Sequence, residues 1–269
     1  MSVTPLAILG SFALLFGLGG GEVRRFERAA AAEIRSKLTG DAPKVGVKVE
    51  LNGIASLWGD LRSATITASA FQTEGLPLFT EPERRKSGKV GTLRLRLSDF
   101  SLAGLRVESL SADIPNCRYD FGLVLSRRVF RLSRSDVGTG EVVLLEKDLE
   151  AFILKKYHEI KRVSVKIDKD KVFVDGYGEF LIAKTNFQVI ASLEPVDGTK
   201  LSLTHARIYF DWRRADEPAR KVLLDTLNPV VDLQRDLGLF DAVTIEGLRL
   251  RDGKLRAWGA TRIPVRPQE

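Results

Sequence analysis

Apolar and polar residues alternate over several stretches of this chain, and this period of two is the feature that most constrains its fold. In SATITASAF, threonines and serines separate the members of an apolar face, Ala64, Ile66, Ala68 and Ala70. In TLRLRLS, leucines alternate with Arg94 and Arg96. Successive side chains of a strand point to opposite faces, so both stretches predict strands with one dry and one wet face. Such strands are typical of antiparallel sheets.

Three other stretches have helical spacing. EVRRFERAAAAEIRSKLTG places apolar residues three or four apart and ends at a glycine, which predicts an amphipathic helix over residues 22–40. EKDLEAFILKKYHEI predicts a short helix whose apolar stripe is Leu149, Phe152 and Ile153. EPARKVLLDTLNPVVDLQRDLG predicts a long helix that ends at Gly238 and that Pro229 kinks or splits.

The order of these elements indicates the fold class. Strands do not alternate one for one with helices, which excludes a doubly wound parallel sheet. The chain closes with VTIEGLRLRDGKLRAWG, in which Asp252-Gly253 predicts a tight hairpin turn. We therefore predict an α+β fold, in which a highly curved, mainly antiparallel β-sheet wraps one long and one or two shorter helices. This domain is expected over residues 41–263, with a tail at residues 264–269.

The first residues form an apolar run, Val3 to Gly21, that approaches the length needed to cross a bilayer. The preceding MSVT contains no lysine or arginine, and no small-residue cleavage site lies close to the run. An uncleaved membrane anchor over residues 1–21 is therefore favoured over a cleaved signal or a buried helix. Arg24, Arg25 and Arg28 follow the run, and by the positive-inside rule they indicate a cytoplasmic body.

The sequence contains no recognisable catalytic or metal-binding motif. Of its 269 residues, two are histidines, His158 and His205, and one is a cysteine, Cys117. We therefore predict no enzyme activity, no metal and no cofactor. The net charge of +7 is spread along strands and loops and is not interleaved with aromatic residues, so nucleic acid is not an expected partner. A solvated basic surface and contact with anionic lipid head groups both remain open.

The apolar faces of the predicted strands and helices could enclose an elongated cavity that suits an acyl chain. The residues expected to line it are Leu93, Leu95, Val163, Val165, Leu203, Leu223, Leu227, Val230 and Leu237. The same residues would equally line a plain packed core, so the apolar pattern alone leaves both interpretations open.

At this point the order of features resembles the bacterial LmeA-like phospholipid-binding family. The resemblance is carried by the apolar N-terminal run and by AAAAEIRSKL, VKVELNGIASLWGDLRSATITAS, LLEKDLEAFI, LLDTLNPVVDL and the closing hairpin. It covers nearly the whole chain and consists of apolar spacing. It implies a fold like the tubular lipid-binding (TULIP) proteins, with a curved sheet around a long helix and a lipid-accommodating groove. It implies no catalytic residue.

The resemblance adds a functional expectation: a membrane-associated, non-enzymatic protein of the bacterial cell envelope that binds phospholipid or another acyl lipid. The alternative is a structural or interaction module of the envelope with a filled core and no ligand. The resemblance also implies an extracytoplasmic or periplasmic body, whereas the arginines after the apolar run indicate the cytoplasmic side.

Overall fold

The computed structural model describes residues 21–75, 80–127, 129–180 and 183–265, and within these it has four α-helices and fourteen strands. The helices are α1 (Gly21–Arg35), α2 (Phe121–Arg127), α3 (Glu146–Lys156) and α4 (Glu217–Leu227), and a 3₁₀ helix spans Gly53–Trp58. The first strands are β1 (Lys44–Leu51), β2 (Asp60–Thr73), β3 (Ser87–Leu102), β4 (Leu105–Asp120), β5 (Leu132–Arg134) and β6 (Gly138–Leu145). The others are β7 (Ile160–Asp168), β8 (Lys171–Phe180), β9 (Ala183–Val196), β10 (Lys200–Phe210), β11 (Arg213–Arg214), β12 (Val231–Asp232), β13 (Val243–Arg251) and β14 (Lys254–Thr261).

The strands form two sheets. The first sheet has the order β1-β2-β3-β4-β6-β14-β13, with β5 beside β4, so the closing hairpin returns to the sheet in which the chain began. The second sheet has the order β11-β10-β9-β8-β7, with β12 beside β10. Every pairing is antiparallel except that of β2 with β3. The predicted α+β class and mainly antiparallel pairing are confirmed, with one sheet strongly curled.

The first sheet bends at the point where the buried apolar residues of β2 change from even-numbered to odd-numbered positions. Ala68 and Phe71 on β2 are both buried although they are three positions apart, and Ala70 between them is exposed with φ at 55°. On β3, Asp99 has φ at 48° and the buried Phe100 follows it. Strand register is kept, since Ser69 pairs with Ser98 and Phe71 with Phe100. Ala70 and Asp99, both in the left-handed conformation, change the direction of β2 and β3 at the same level of the sheet. The apolar face therefore continues around the bend.

This bend corrects the face expected for Ala70, which was grouped with the apolar residues before it. A residue with a left-handed backbone conformation interrupts the alternation of a strand, so the side chain of the next residue points to the buried face. Phe71 therefore fills that position, and its ring stacks on Phe100 with centroids 4.9 Å apart. β4 has the same interruption near its C-terminal end, where Ile114 and Cys117 are both buried and Asn116 has φ at 51°.

The main core lies between the two sheets. Leu144, Leu250 and Leu255 contribute from the first sheet, and Val165, Val189 and Leu203 contribute from the second. α3 adds the predicted stripe of Leu149, Phe152 and Ile153. A second, smaller cluster lies on the first sheet around Leu93, Ile114 and Tyr119, and Leu132 of β5 and Ile263 near the C-terminus cover it.

The helix expected over residues 217–238 is shorter than predicted. α4 ends at Leu227, and the amide of Asn228 exchanges two hydrogen bonds of 2.8 and 3.0 Å with the backbone of Leu203. Beyond Pro229, which has no N–H to continue a helix, Val231 pairs with Leu201 as part of β12. The longest described helix is instead α1, which ends at Arg35 and not at Gly40.

The predicted anchor at residues 1–21 lies outside the described residues except for Gly21. Among the helices that are described, none is long and apolar enough to cross a membrane.

Candidate functional site

The centre of the main core contains a small apolar cavity between the two sheets and helices α3 and α4. Its volume is about 40 Å³. The residues around it are Leu149, Ile153, Tyr157, Ile160, Val165, Val172, Val174, Phe187, Leu193, Leu201, Leu203, Leu227, Val230, Val231 and Leu255. Its size is close to the share of liquid volume that one water molecule takes, about 30 Å³. An acyl chain can therefore enter this site only if the surrounding elements move apart.

The structure brings together seven of the nine residues predicted to line a cavity. Val165, Leu203, Leu227 and Val230 line this cavity directly. Val163, Leu223 and Leu237 belong to the same core cluster without lining it. Leu93 and Leu95 belong to the separate cluster on the first sheet.

Sequence reasoning missed several of the lining residues. Leu149 and Ile153 belong to the helical stripe that was recognised on α3, but no pattern indicated that α3 faces the cavity. Phe187 and Leu193 lie on β9, whose alternation marks them as buried without naming their neighbours. Periodicity shows which residues of an element are buried, but it does not show which distant elements contact one another.

The rim of the cavity is polar and ties α3 to the segment that follows α4. Lys156 donates hydrogen bonds to the carbonyl oxygens of Pro229 (2.8 Å) and Val230 (3.1 Å) and to the carboxylate of Asp236 (2.6 Å). The Tyr157 hydroxyl donates to the carbonyl oxygen of Leu227 at 2.7 Å. Burial, with a smaller contribution from Asp236, raises the pKa of the Tyr157 phenol, so it stays a neutral donor at ordinary pH.

A larger hollow of about 600 Å³ lies against the first sheet, along strands β1 to β4 and β6. Thr67, Arg96 and Ser111 are paired in one cross-strand row that continues to Glu141 on β6. The guanidinium of Arg96 is held by the Asp113 carboxylate at 2.7 Å and by two backbone carbonyl oxygens. Hydroxyl groups and charges line this hollow together with Val45, Ala68, Leu97 and Leu110, so its lining is mixed and not purely apolar like that of the central cavity.

Nucleophilic or metal chemistry finds little support in the described residues. Burial raises the pKa of the Cys117 thiol to about 12, which keeps it protonated and unreactive. Within the same residues, no group of three or more histidine, cysteine, aspartate or glutamate side chains could hold a metal ion.

No curated protein and no solved structure matches the chain at a significant level. A family model described as LmeA-like phospholipid-binding matches residues 18–260, which span both sheets, the cavity and its rim. Since the match covers nearly the whole chain, this protein belongs to the LmeA-like phospholipid-binding family.

Proposed function

We propose that this protein is a non-enzymatic, membrane-associated phospholipid-binding protein of the bacterial cell envelope, and that it holds acyl chains between its two sheets. The observation that carries the proposal is the cavity at the centre of a core shared by both sheets, in a chain of a phospholipid-binding family. Fourteen of the fifteen residues that line this cavity are aliphatic or phenylalanine, and the remaining one is Tyr157. A site of this composition favours a hydrocarbon ligand over a polar one.

Lipid entry requires the cavity to widen, and the energy for this comes from burial of the acyl chain. Each buried CH₂ group contributes about 0.8 kcal/mol, so a chain of about 16 carbons gains on the order of 12 kcal/mol before any cost of opening. α4 and the segment up to Asp236 form the wall that the rim hydrogen bonds hold in place. This wall is the element that we expect to move, because its separation from α3 would lengthen the cavity.

The membrane association belongs to the same proposal. The apolar run before Gly21 has nearly the length of a bilayer span, which supports an anchor over residues 1–21. The envelope location that the family resemblance implies favours a body on the extracytoplasmic side, and Arg24, Arg25 and Arg28 favour the cytoplasmic side. We propose the extracytoplasmic side, and protection of the body from protease added to cells stripped of wall and outer membrane would contradict it.

A second candidate function is an envelope interaction module that never takes up lipid. One observation favours it: the cavity of about 40 Å³ is too small for an acyl chain, as in a core that is simply filled. In this candidate the sheets serve as a scaffold for a protein partner.

Native mass spectrometry of the full-length chain, extracted from membranes with a mild detergent, separates the two candidates. The first predicts bound phospholipid and uptake of labelled phospholipid from vesicles. Leu203→Phe adds volume at the cavity and should reduce the bound fraction severalfold, because overpacking there costs about 1–3 kcal/mol. Leu93→Phe makes the same change in the separate cluster and should leave the bound fraction unchanged. Absence of lipid from the unaltered protein, together with no uptake, would favour the second candidate.

A further inference from the structure

Large apolar side chains are exposed at the end of the first sheet where β1 turns into β2. The 3₁₀ helix between these strands leaves Ile54 74% and Trp58 66% exposed. The neighbouring helix α2 exposes Leu125. Exposed aromatic and aliphatic residues of this size, grouped at one end of a molecule, indicate a surface that is covered by something in use.

The start of α2 packs against Gly59, the residue that ends the 3₁₀ helix, so the exposed residues of both helices lie at this end of the first sheet. The Tyr119 hydroxyl, just before α2, donates a hydrogen bond of 2.8 Å to the carbonyl oxygen of Gly59, just after Trp58. Phe121 lies against Gly59 and donates its backbone N–H to the carbonyl oxygen of Lys86 at 2.9 Å. The segment before β3 is thereby held beside both helices.

Exposed basic residues lie on the segments that meet at this end. They are Arg24, Arg28, Arg84, Arg85, Lys86 and Arg127. Arg84 forms an ion pair of 3.2 Å with Asp120, and Glu50, Asp60 and Glu83 oppose part of the remaining charge. The combination of an exposed tryptophan with a surplus of arginine and lysine matches the interface of an anionic bilayer, where indole rings sit at head-group depth and cations meet phosphate.

The direction of α1 places the start of the described chain at this same end. The Glu27 carboxylate accepts a hydrogen bond of 2.8 Å from the backbone N–H of Val49, near the end of β1. At the other end, Thr39 after α1 bridges to Gln72 of β2. Gly21 precedes Glu27 by six residues, so it lies about 9 Å further toward the turn between β1 and β2. The apolar run that precedes Gly21 in the sequence therefore joins the body at this end.

We infer that this end, the basic tip formed by Ile54, Trp58, Leu125 and the six basic residues, rests on the surface of an anionic phospholipid bilayer. The indole of Trp58 and the side chain of Ile54 enter the head-group region, and the basic residues contact lipid phosphates. The inference rests on the membrane association proposed above and adds the contact surface. It is independent of whether the core takes up lipid.

Depth-dependent fluorescence quenching tests the basic tip directly. The full chain carrying Trp212→Phe and Trp258→Phe retains Trp58 alone and is reconstituted into phosphatidylcholine vesicles that contain phosphatidylglycerol and a lipid brominated near the head group. We expect its emission to fall at least about twofold, because the indole lies within the interface. The control chain carries Trp58→Phe and Trp258→Phe and retains only Trp212. This residue is 81% exposed and follows β10 of the second sheet. Its emission should stay unquenched.

The charge requirement is tested with Arg85→Gln and Lys86→Gln together. This pair should reduce the quenching of Trp58 in anionic vesicles and change little in vesicles of phosphatidylcholine alone. Equal quenching of Trp58 and Trp212, or no quenching of either, would overturn the inference and leave the basic tip as a surface for a protein partner or for water.

The two proposals fail in different ways. The chain that retains Trp58 alone and also carries Ile54→Ser should show weaker quenching of Trp58 and still carry phospholipid in the core. If the unaltered protein shows quenching of Trp58 but carries no bound lipid, lipid uptake by the core is wrong and the basic tip stands.

Discussion

Lys156 and Asp236 form a part-buried ion pair, in which Nζ lies 2.6 Å from Oδ2 and joins α3 to the segment after α4. The two side chains are only 21% and 14% exposed. Asp236 also accepts a hydrogen bond from the backbone N–H of Asp232, and Lys156 donates to two carbonyl oxygens beside the cavity. The pair therefore holds the wall that we propose to move during lipid entry.

Lys156→Met should destabilise the protein by about 2 kcal/mol, since it leaves a part-buried carboxylate and two carbonyl oxygens without their charged donor. The measurement is the urea dependence of unfolding followed by circular dichroism. The matched control is Lys254→Met, which breaks a surface pair with Glu108 whose side chains are 48% and 36% exposed. Its cost should stay below about 1 kcal/mol. An equal loss of unfolding free energy in the two variants would show that the Lys156–Asp236 pair stabilises the protein no more than a surface pair does.

The bend in β2 predicts opposite effects of the same substitution at Ala68 and Ala70, two positions apart. Ala70→Gly should stabilise the protein by about 0.5–1 kcal/mol, because glycine adopts the left-handed conformation without the strain that a Cβ imposes. Ala68→Gly should destabilise it by about 1–2 kcal/mol, since a buried methyl group is lost and the strand backbone gains freedom when unfolded. Thermal unfolding of both variants measures the difference. A loss of stability in both would argue against the bend.

Cys117 gives a prediction about pH. Burial raises the pKa of its thiol from 9.0 to about 12, so the folded protein keeps this proton between these values while the unfolded chain releases it. The unfolded state then binds fewer protons, and stability falls as pH rises through this window, by up to about 1.4 kcal/mol per pH unit. Below pH 9 the thiol is protonated in both states and contributes no slope.

The measurement is urea unfolding at several pH values for the unaltered protein and for Cys117→Ala. The variant should show a shallower fall above pH 9, whatever its stability at neutral pH. In the folded protein at pH 8 the thiol should also react with aromatic disulfide reagents only at the rate of unfolding. Rapid labelling without denaturant would contradict the burial of Cys117.

The strands, the closing hairpin and the family pattern could be predicted from the sequence because they depend on local chemistry. Alternation alone identified the dry faces of β2 and β3, and Asp252 and Gly253 do take the positive φ angles, 52° and 74°, that their turn requires. The helical stripe of α3 was equally local. The mainly antiparallel pairing followed from the same alternation.

Only the tertiary structure decided which apolar faces meet. Periodicity shows that Leu93 and Leu203 are each buried, but Leu93 lies in the cluster on the first sheet and Leu203 lines the cavity between the sheets. The parallel pairing of β2 with β3 and the division into two sheets likewise depend on contacts between segments distant in sequence.

The segment around Pro229 shows both the local and the tertiary contribution. Its missing N–H indicates a break in the helix, but the amide of Asn228 binding the backbone of Leu203 turns the following residues into a strand. Local sequence thus determined which residues are apolar, where turns form and where a helix must stop. The partner of each apolar face was decided by the packing of the whole chain, because burial stabilises any face against any apolar neighbour that fits.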